Sequence, residues 1–116
     1  MFVKYNEMKP LLRDSFKGGE GGGWSRFLLP PNSEIEGSSF SMIAENTLNP
    51  GSSIGYHLHD EDDELFVIIE GEGMYREDNE DYPVAKGDMM LLRKGHQHGL
   101  TNTSDVPLRL LAVIAR

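Results

Sequence analysis

The chain of 116 residues contains no cysteine. Disulfide bonds, thiolate metal sites and cysteine nucleophiles are therefore excluded, and any metal ion must be held by nitrogen and oxygen donors. The sequence also lacks an apolar run approaching the roughly 20 residues that a membrane-spanning helix needs. Residues 1–16 lack the basic start and apolar stretch of a secretory signal. We therefore expect a cytoplasmic protein.

Positive charge is scarce, with 11 lysines and arginines against 19 acidic residues and a formal net charge of -8. Nucleic acids and anionic lipids are bound by clustered lysine and arginine, so neither is a predicted partner, and a small molecule is expected instead. Acidic residues concentrate at 60–64 and 77–81. All but one of them are interpreted as solvated loop surface.

Helical periodicity is almost absent. Short runs of β-branched, aromatic and aliphatic residues are separated by glycine and proline, which is typical of strands joined by turns. The best helical candidate is segment 7–16, interrupted at Pro10. Segments 71–73 and 78–81 are predicted hairpin loops. We predict an all-β sandwich or barrel with strands near 26–29, 40–48, 54–57, 64–70, 73–77, 82–85, 89–92, 98–102 and 108–114.

One domain is expected, in which residues 1–25 form an N-terminal arm with a glycine-rich loop and residues 26–116 form the barrel. No Gly-Lys-Ser or Gly-Lys-Thr follows the glycines at 18–23, so this segment is interpreted as a flexible loop rather than a phosphate cradle. The apolar run 65–69 does not alternate, which favours a strand covered on both faces. The arm or a partner subunit would supply the outer cover, and we predict a homodimer.

All four histidines occur as His-X-His pairs, His57 with His59 and His96 with His98. Residues two apart on a strand share one face, so each pair can offer two imidazoles to one ion. A single histidine is more often an ordinary surface or core residue. It is the pairing of every histidine that favours a metal site.

A carboxylate follows the first histidine pair at the start of the apolar strand. Glu64 would be buried there, and a buried carboxylate needs a compensating partner such as a metal ion. Asp63 is the alternative ligand, because strand alternation places it on the opposite face from Glu64. The residues alone leave open which of the two faces is the inner one.

The arrangement of these residues resembles the two sequence motifs of the cupin family. The first motif, a glycine, a His-X-His pair, a glutamate and a second glycine, is matched at Gly51, His57, His59, Glu64 and Gly71. The second motif is matched at Gly87, Gly95, His98 and Asn102, with Arg93 where the family has proline. The resemblance spans about residues 40–115, and its spacing selects Glu64 over Asp63 as the ligand.

The resemblance implies a double-stranded β-helix, or jelly-roll barrel, in which His57, His59, Glu64 and His98 ligate one divalent metal ion. Within the family the chain resembles the small oxalate-decarboxylase-like cupins, and this resemblance makes Mn(II) the expected ion. Fe(II), Ni(II), Zn(II) and Cu(II) also suit the donors. With Glu64 ionised the site carries a net charge of about +1, which favours an anionic, oxygen-chelating ligand. His96 is expected to line the cavity as a hydrogen-bond donor or base, or else to lie on its rim.

Three functions remain as hypotheses. The first is metal-dependent binding of a small carboxylate such as oxalate. The second is a cupin dioxygenase or isomerase acting on a small hydroxycarbonyl substrate, with cavity walls drawn from Phe40, Met42, Phe66 and Met90. The third is a non-catalytic binding protein. Oxalate decarboxylation is disfavoured, because Ile54 stands where the resemblance places a substrate-binding arginine.

Overall fold

The computed structural model describes residues 1–116, and the chain folds almost entirely into β-strands. After a 3-10 turn at Tyr5–Glu7, the strands are β1 Leu11–Arg13, β2 Gly23–Leu29, β3 Phe40–Leu48, β4 Ser53–His59, β5 Asp63–Glu70, β6 Glu72–Glu77, β7 Glu80–Ala85, β8 Met89–Leu92, β9 His96–Thr101 and β10 Leu108–Ala115. Each of the predicted strands is confirmed to within a few residues. No helix is of the length and apolarity that crossing a membrane requires.

Two antiparallel sheets form the barrel. The six-stranded sheet has the order β1-β2-β3-β10-β5-β8, and the four-stranded sheet has the order β4-β9-β6-β7. From β3 to β10 the chain changes sheet at every connection except the hairpin between β6 and β7. The architecture predicted from the sequence, an all-β jelly-roll barrel, is confirmed.

Two sequence-based predictions about local structure were wrong. The helical candidate at 7–16 contains strand β1, which pairs with β2 from Leu11 opposite Ser25 to Arg13 opposite Gly23. Pro10 has no amide hydrogen to continue a helix, and the sheet edge offers β1 its hydrogen bonds instead. The predicted hairpin at 71–73 is a crossing between sheets, where Gly71 has φ +90 and a Cβ would lie 2.8 Å from the carbonyl oxygen of Pro107.

The hairpin predicted at 78–81 is confirmed. Glu77 pairs with Glu80, so Asp78 and Asn79 form a two-residue turn. Both turn residues have positive φ, 47° and 69°. This is the backbone geometry of a type I′ turn, which suits the twist of paired strands and which asparagine and aspartate tolerate well.

The core fills the space between the sheets. Fully buried side chains from both sheets meet there, including Phe66, Ile68, Tyr75, Leu100, Leu108 and Leu110. Burial of each such side chain contributes about 1.5–3 kcal/mol relative to exposure. Along β10 the register runs from Leu110 opposite Ile68 in this core to Ile114 opposite Glu64. The interior is apolar near Ile68 and becomes polar near Glu64. This change places the candidate site at one end of the barrel.

The N-terminal segment is built into the barrel. β1 forms an edge of the six-stranded sheet, and Phe16 lies in the core and bridges to Ile54 of the other sheet. The glycine-rich run is closely packed rather than a free loop, because a Cβ at Gly19 would lie 2.1 Å from the carbonyl oxygen of Ser53. Close backbone approach therefore accounts for glycine at this position.

The outer face of the six-stranded sheet is apolar. β5 points Leu65, Val67 and Ile69 outward, where they are half-buried. Met89 and Leu91 of the edge strand β8 are exposed. Beside them, residues 1–3 help to line an apolar cleft of about 430 Å³ on this face. The chain alone therefore covers only part of the surface.

Candidate metal centre

The histidines and the glutamate of the predicted site come from three strands in two sheets. His57 of β4 pairs directly with His98 of β9, and strand alternation puts His59 on the same face as His57. Glu64 points inward from β5 in the opposite sheet. The four side chains offer ligand atoms that all lie within 4.8 Å of one another. The structure therefore brings together all four residues that the sequence singled out.

The donor atoms of the cluster are in mutual contact and largely hidden from solvent. The Glu64 Oε1 atom lies 2.8 Å from His59 Nε2 and 2.9 Å from His98 Nε2. His57 Nε2 lies 3.0 Å from His59 Nε2. His59, Glu64 and His98 are buried, whereas His57 is half-buried. The half-buried histidine marks the side on which the cluster is open.

The outward-facing nitrogens of His57 and His59 have hydrogen-bond acceptors. His57 Nδ1 lies 2.6 Å from the carbonyl oxygen of Gly55, and His59 Nδ1 lies 2.6 Å from Asp62 Oδ1. A carbonyl and a carboxylate can only accept, so we assign the hydrogen of each neutral ring to Nδ1. The Nε2 atoms then point lone pairs into the cluster.

A tyrosine orients His98 so that its Nε2 atom, like those of His57 and His59, faces the cluster. The Tyr75 hydroxyl donates to Glu77 Oε1 at 2.7 Å, and its oxygen lies 3.3 Å from His98 Nδ1. The hydroxyl oxygen is thus free to accept the Nδ1 hydrogen of His98. The Phe66 ring stacks on His98 with centroids 4.7 Å apart, which fixes the plane of the imidazole.

The donor set fits one divalent metal ion. Three Nε2 lone pairs and a carboxylate oxygen face one another, an arrangement that is repulsive unless a cation lies among them. A proton shared by His59 and Glu64 relieves one contact, whereas a divalent ion satisfies all four donors at once. Histidines whose outer nitrogen donates to a carboxylate or carbonyl are typical metal ligands.

The cluster environment shifts the pKa values of its members. Burial lowers the pKa of His57. Burial opposes ionisation of Glu64 as well, but the hydrogen bonds that His59 and His98 donate from Nε2 when protonated outweigh it and lower the pKa of Glu64 to about 2. Burial also disfavours charge on His59, yet hydrogen bonds to Glu64 and Asp62 prevail and raise its pKa. Where His59 is protonated, a metal ion that binds its Nε2 atom displaces that proton.

The cluster opens into a cavity of about 490 Å³. Its apolar lining includes Phe16, Phe27, Met42, Ile54, Phe66 and Ile114. Two of the four predicted wall residues, Met42 and Phe66, are thus in place. Phe40 is 46% exposed and Met90 lies in the core, so neither lines the cavity.

Two polar neighbours of the cluster lie outside it. His96 shares a strand face with His98, but its ring is partly exposed and is hydrogen-bonded to Asp78, and it does not line the cavity. The structure therefore places it outside the cavity, and not beside the donors. Asp63 lies on the other face of β5, where its Oδ1 accepts from the Lys94 amide at 2.8 Å.

Two residues that hold the histidines in place were not predicted from the sequence. Asp62 was interpreted as solvated loop, and its only signal was its position three residues after His59. Tyr75 lies on β6 and carried no signal, because only the pairing of β6 with β9 brings it to His98. Arg13, which also lines the cavity, was missed because β1 was not predicted.

Comparison with known proteins gives consistent matches over the whole chain. The family model described as "Cupin domain" matches residues 44–114. The oxalate-binding protein of Thermotoga maritima is 32% identical over 114 residues, which cover 98% of this chain and 93% of that protein.

Solved structures of cupins have the same fold as this chain. The crystal structure of a predicted oxalate decarboxylase from Thermotoga maritima matches with a TM-score of 0.90 and 32% identity, covering 99% of this chain and 98% of that one. A Cupin 2 conserved barrel domain protein from Salinispora arenicola has a TM-score of 0.73 at 21% identity, covering 100% and 87%. The second match is evidence of shared fold alone.

Proposed function

This chain belongs to the cupin family, and from that premise we propose that it binds a small, oxygen-chelating carboxylate at one divalent metal ion held by His57, His59, Glu64 and His98. The observation that carries the proposal is the convergence of four ligand atoms beside a cavity large enough for a small organic ligand. The oxalate-binding relative from Thermotoga maritima supports a carboxylate ligand.

Charge at the centre favours an anion. A divalent ion, one ionised glutamate and neutral imidazoles sum to about +1, and an ion with open positions acts as a Lewis acid toward carboxylate oxygens. We propose Mn(II) as the bound ion, with Fe(II), Ni(II) and Zn(II) compatible with the same donors. Ile54 contributes an apolar wall, so decarboxylation of oxalate is not part of the proposal.

The test begins with elemental analysis of protein purified without an affinity tag. Metal-free and manganese-loaded protein are then each titrated with oxalate, and binding is measured by calorimetry. We expect about one metal ion per chain and oxalate binding only by the loaded protein. Equal binding by the metal-free protein, or none by the loaded protein, would contradict the proposal. Product analysis with and without dioxygen then separates a binding protein from a dioxygenase or lyase.

We also propose that the chain is a homodimer that covers the outer face of the six-stranded sheet. The support is the row of outward apolar side chains on β5 and β8, Leu65, Val67, Ile69, Met89 and Leu91. Apolar surface of this kind is stabilised when a second copy removes it from water. A cytoplasmic location remains our prediction from the sequence.

A further inference from the structure

Arg13 places a fixed positive charge in the same cavity as the metal centre. It ends β1 and lines the cavity with His57, His59 and Glu64. Its Nη1 atom donates to Ser25 Oγ at 3.0 Å, and the guanidinium carbon lies 4.7 Å from the centre of the Phe16 ring.

The support beneath this arginine is rigid. Ser25 is fully buried, and its hydroxyl donates to Asn46 Oδ1 at 2.6 Å. Phe16 is a core residue. A guanidinium held by a hydrogen bond on one side and a ring on the other loses little conformational freedom when it binds a ligand.

The charge of Arg13 has no partner in the protein. A guanidinium has five N–H donors, and the hydrogen bond to Ser25 uses one of them. Arg76 pairs with Asp81, and Arg109 pairs with Glu45 and Glu70. In contrast, no carboxylate lies within ion-pair distance of Arg13. No side-chain nitrogen is sealed away without a partner, so its remaining donors face accessible space.

The other charged groups of the cavity are less well placed to select a ligand. Lys17 is exposed and its ammonium makes no hydrogen bond. Asp60 and Glu61 also line the cavity, but they carry negative charge. Arg13 is therefore the positioned cation among them.

The dimensions of the cavity favour a ligand longer than oxalate. A volume of about 490 Å³ is within the range of pockets that enclose ligands much larger than a two-carbon diacid. Apolar side chains, among them Phe27 and Ile54, line the cavity along with the metal centre and Arg13. The lining thus combines a chelating end, an apolar wall and a cation.

We infer that Arg13 is a specificity-determining residue that binds the distal carboxylate of a diacid whose other end chelates the metal ion. This inference rests on the proposed function and names its ligand class, a hydroxy- or oxo-diacid longer than oxalate. The guanidinium pairs with the far carboxylate through two parallel N–H donors, the geometry in which arginine binds carboxylates most strongly.

The experiment compares two probes with the same chelating end on manganese-loaded protein. Malate carries a distal carboxylate, and 2-hydroxybutyrate carries a methyl group in its place. Because the pair is charge-assisted, we expect calorimetry to show malate binding to the wild type at least about tenfold more tightly, a difference of about 1.4 kcal/mol. Arg13→Gln, which can still donate to Ser25, should reduce that ratio to about twofold at unchanged metal content, and it should weaken malate binding more than oxalate binding.

Lys86→Gln is the matched control, because it removes one positive charge from an exposed position outside the cavity. It should keep the wild-type ratio. Absence of oxalate binding by the loaded wild type would refute the proposed function itself. Oxalate binding with equal affinities for malate and 2-hydroxybutyrate would overturn only the role of Arg13, as would an equal loss of oxalate and malate affinity in Arg13→Gln. Should that variant fail to fold, the wild-type ratio and Arg13→Lys test the role of Arg13. Lysine lacks the paired N–H donors, so it should lower the ratio, and an unchanged ratio would overturn the inference.

Discussion

Each clustered histidine has a partner for the ring nitrogen that faces away from the centre. The partners are the carbonyl of Gly55, the carboxylate of Asp62 and the hydroxyl of Tyr75. These contacts set the tautomer and ring orientation independently of any ion. The ligand geometry is thus prepared in the folded chain, and removal of a donor should affect metal binding more than folding.

Replacing Glu64 by Gln should abolish stoichiometric metal binding. The amide has no negative charge, and at a site with only three neutral imidazoles it is a poor substitute for the carboxylate. Elemental analysis after manganese loading should give well under one ion per chain, with a circular dichroism spectrum like that of the wild type. Asp63→Asn is the matched control, since Asp63 points away from the cluster, and it should bind one ion. Equal metal content in both variants would argue against the assigned ligand.

Asp62→Asn should weaken manganese affinity about 10–100-fold, the usual cost of losing a carboxylate behind a ligating histidine. The pH dependence has a definite sign. The raised pKa of His59 means that the metal displaces a proton, so apparent affinity rises as pH increases through that pKa. Removing the Asp62 charge lowers the pKa and moves this rise to lower pH. Competition with a fluorescent chelator from pH 5.5 to 8.5 measures both effects.

Glu61→Gln, one residue away and without a hydrogen bond to a histidine, is the control for loss of loop charge. It should retain the wild-type pH profile. An identical shift in both variants would mean that Asp62 acts only through the general charge of the loop.

The four donors could be predicted from local patterns together with the resemblance to the cupin motifs, whose spacing selects Glu64 over Asp63. His57 and His59 are two apart, and Glu64 stands at the head of an apolar strand. Asp62 could not be separated from its acidic neighbours, because only the turn between β4 and β5 decides which carboxylate folds back. Tyr75 depends on a pairing between β6 and β9 that no local pattern encodes.

Strand elements were predictable where a short apolar or β-branched run is bounded by glycine or proline, as in β5, which ends just before Gly71. The short edge strand β1 has no buried alternation, and its residues 11 and 12 are exposed. Its formation depends on pairing with β2, on the other side of the glycine-rich run. The direction of the chain at Gly71 depends likewise on which sheet receives β6, and a turn sequence does not carry that information.

Phe16 secures the element that carries Arg13, so Phe16→Ala should lower the free energy of unfolding by about 3–5 kcal/mol. Its ring lies in the core and bridges to β4. Chemical denaturation monitored by the fluorescence of the single tryptophan, Trp24, gives the value. Leu12→Ala, on the exposed part of β1, should change it by less than about 1 kcal/mol. Similar losses in both variants would mean that the arm contributes as one exposed edge rather than through Phe16.

At the scale of the whole molecule, light scattering during size exclusion should give a mass of two chains. Leu91→Lys should shift this mass toward one chain, because a two-fold interface would bring the new charge close to its own copy. Leu91 is 58% exposed, so the substitution spares the core. Tyr82→Lys alters an exposed residue of the other sheet and should leave the dimer intact. A wild-type monomer, or a dimer unaffected by Leu91→Lys, would contradict the proposed interface.

The distribution of the donors over both sheets has a further consequence. Three histidines belong to the four-stranded sheet and Glu64 belongs to the six-stranded sheet. An ion bound by all four residues would therefore cross-link the two sheets, in a chain that has no cysteine to form a disulfide. The barrel could then open at that end only after the ion had left. Metal should slow amide hydrogen exchange in β4, β5 and β9 near the cluster, while the opposite end of the barrel, around Leu48 and Leu108, exchanges at its former rate.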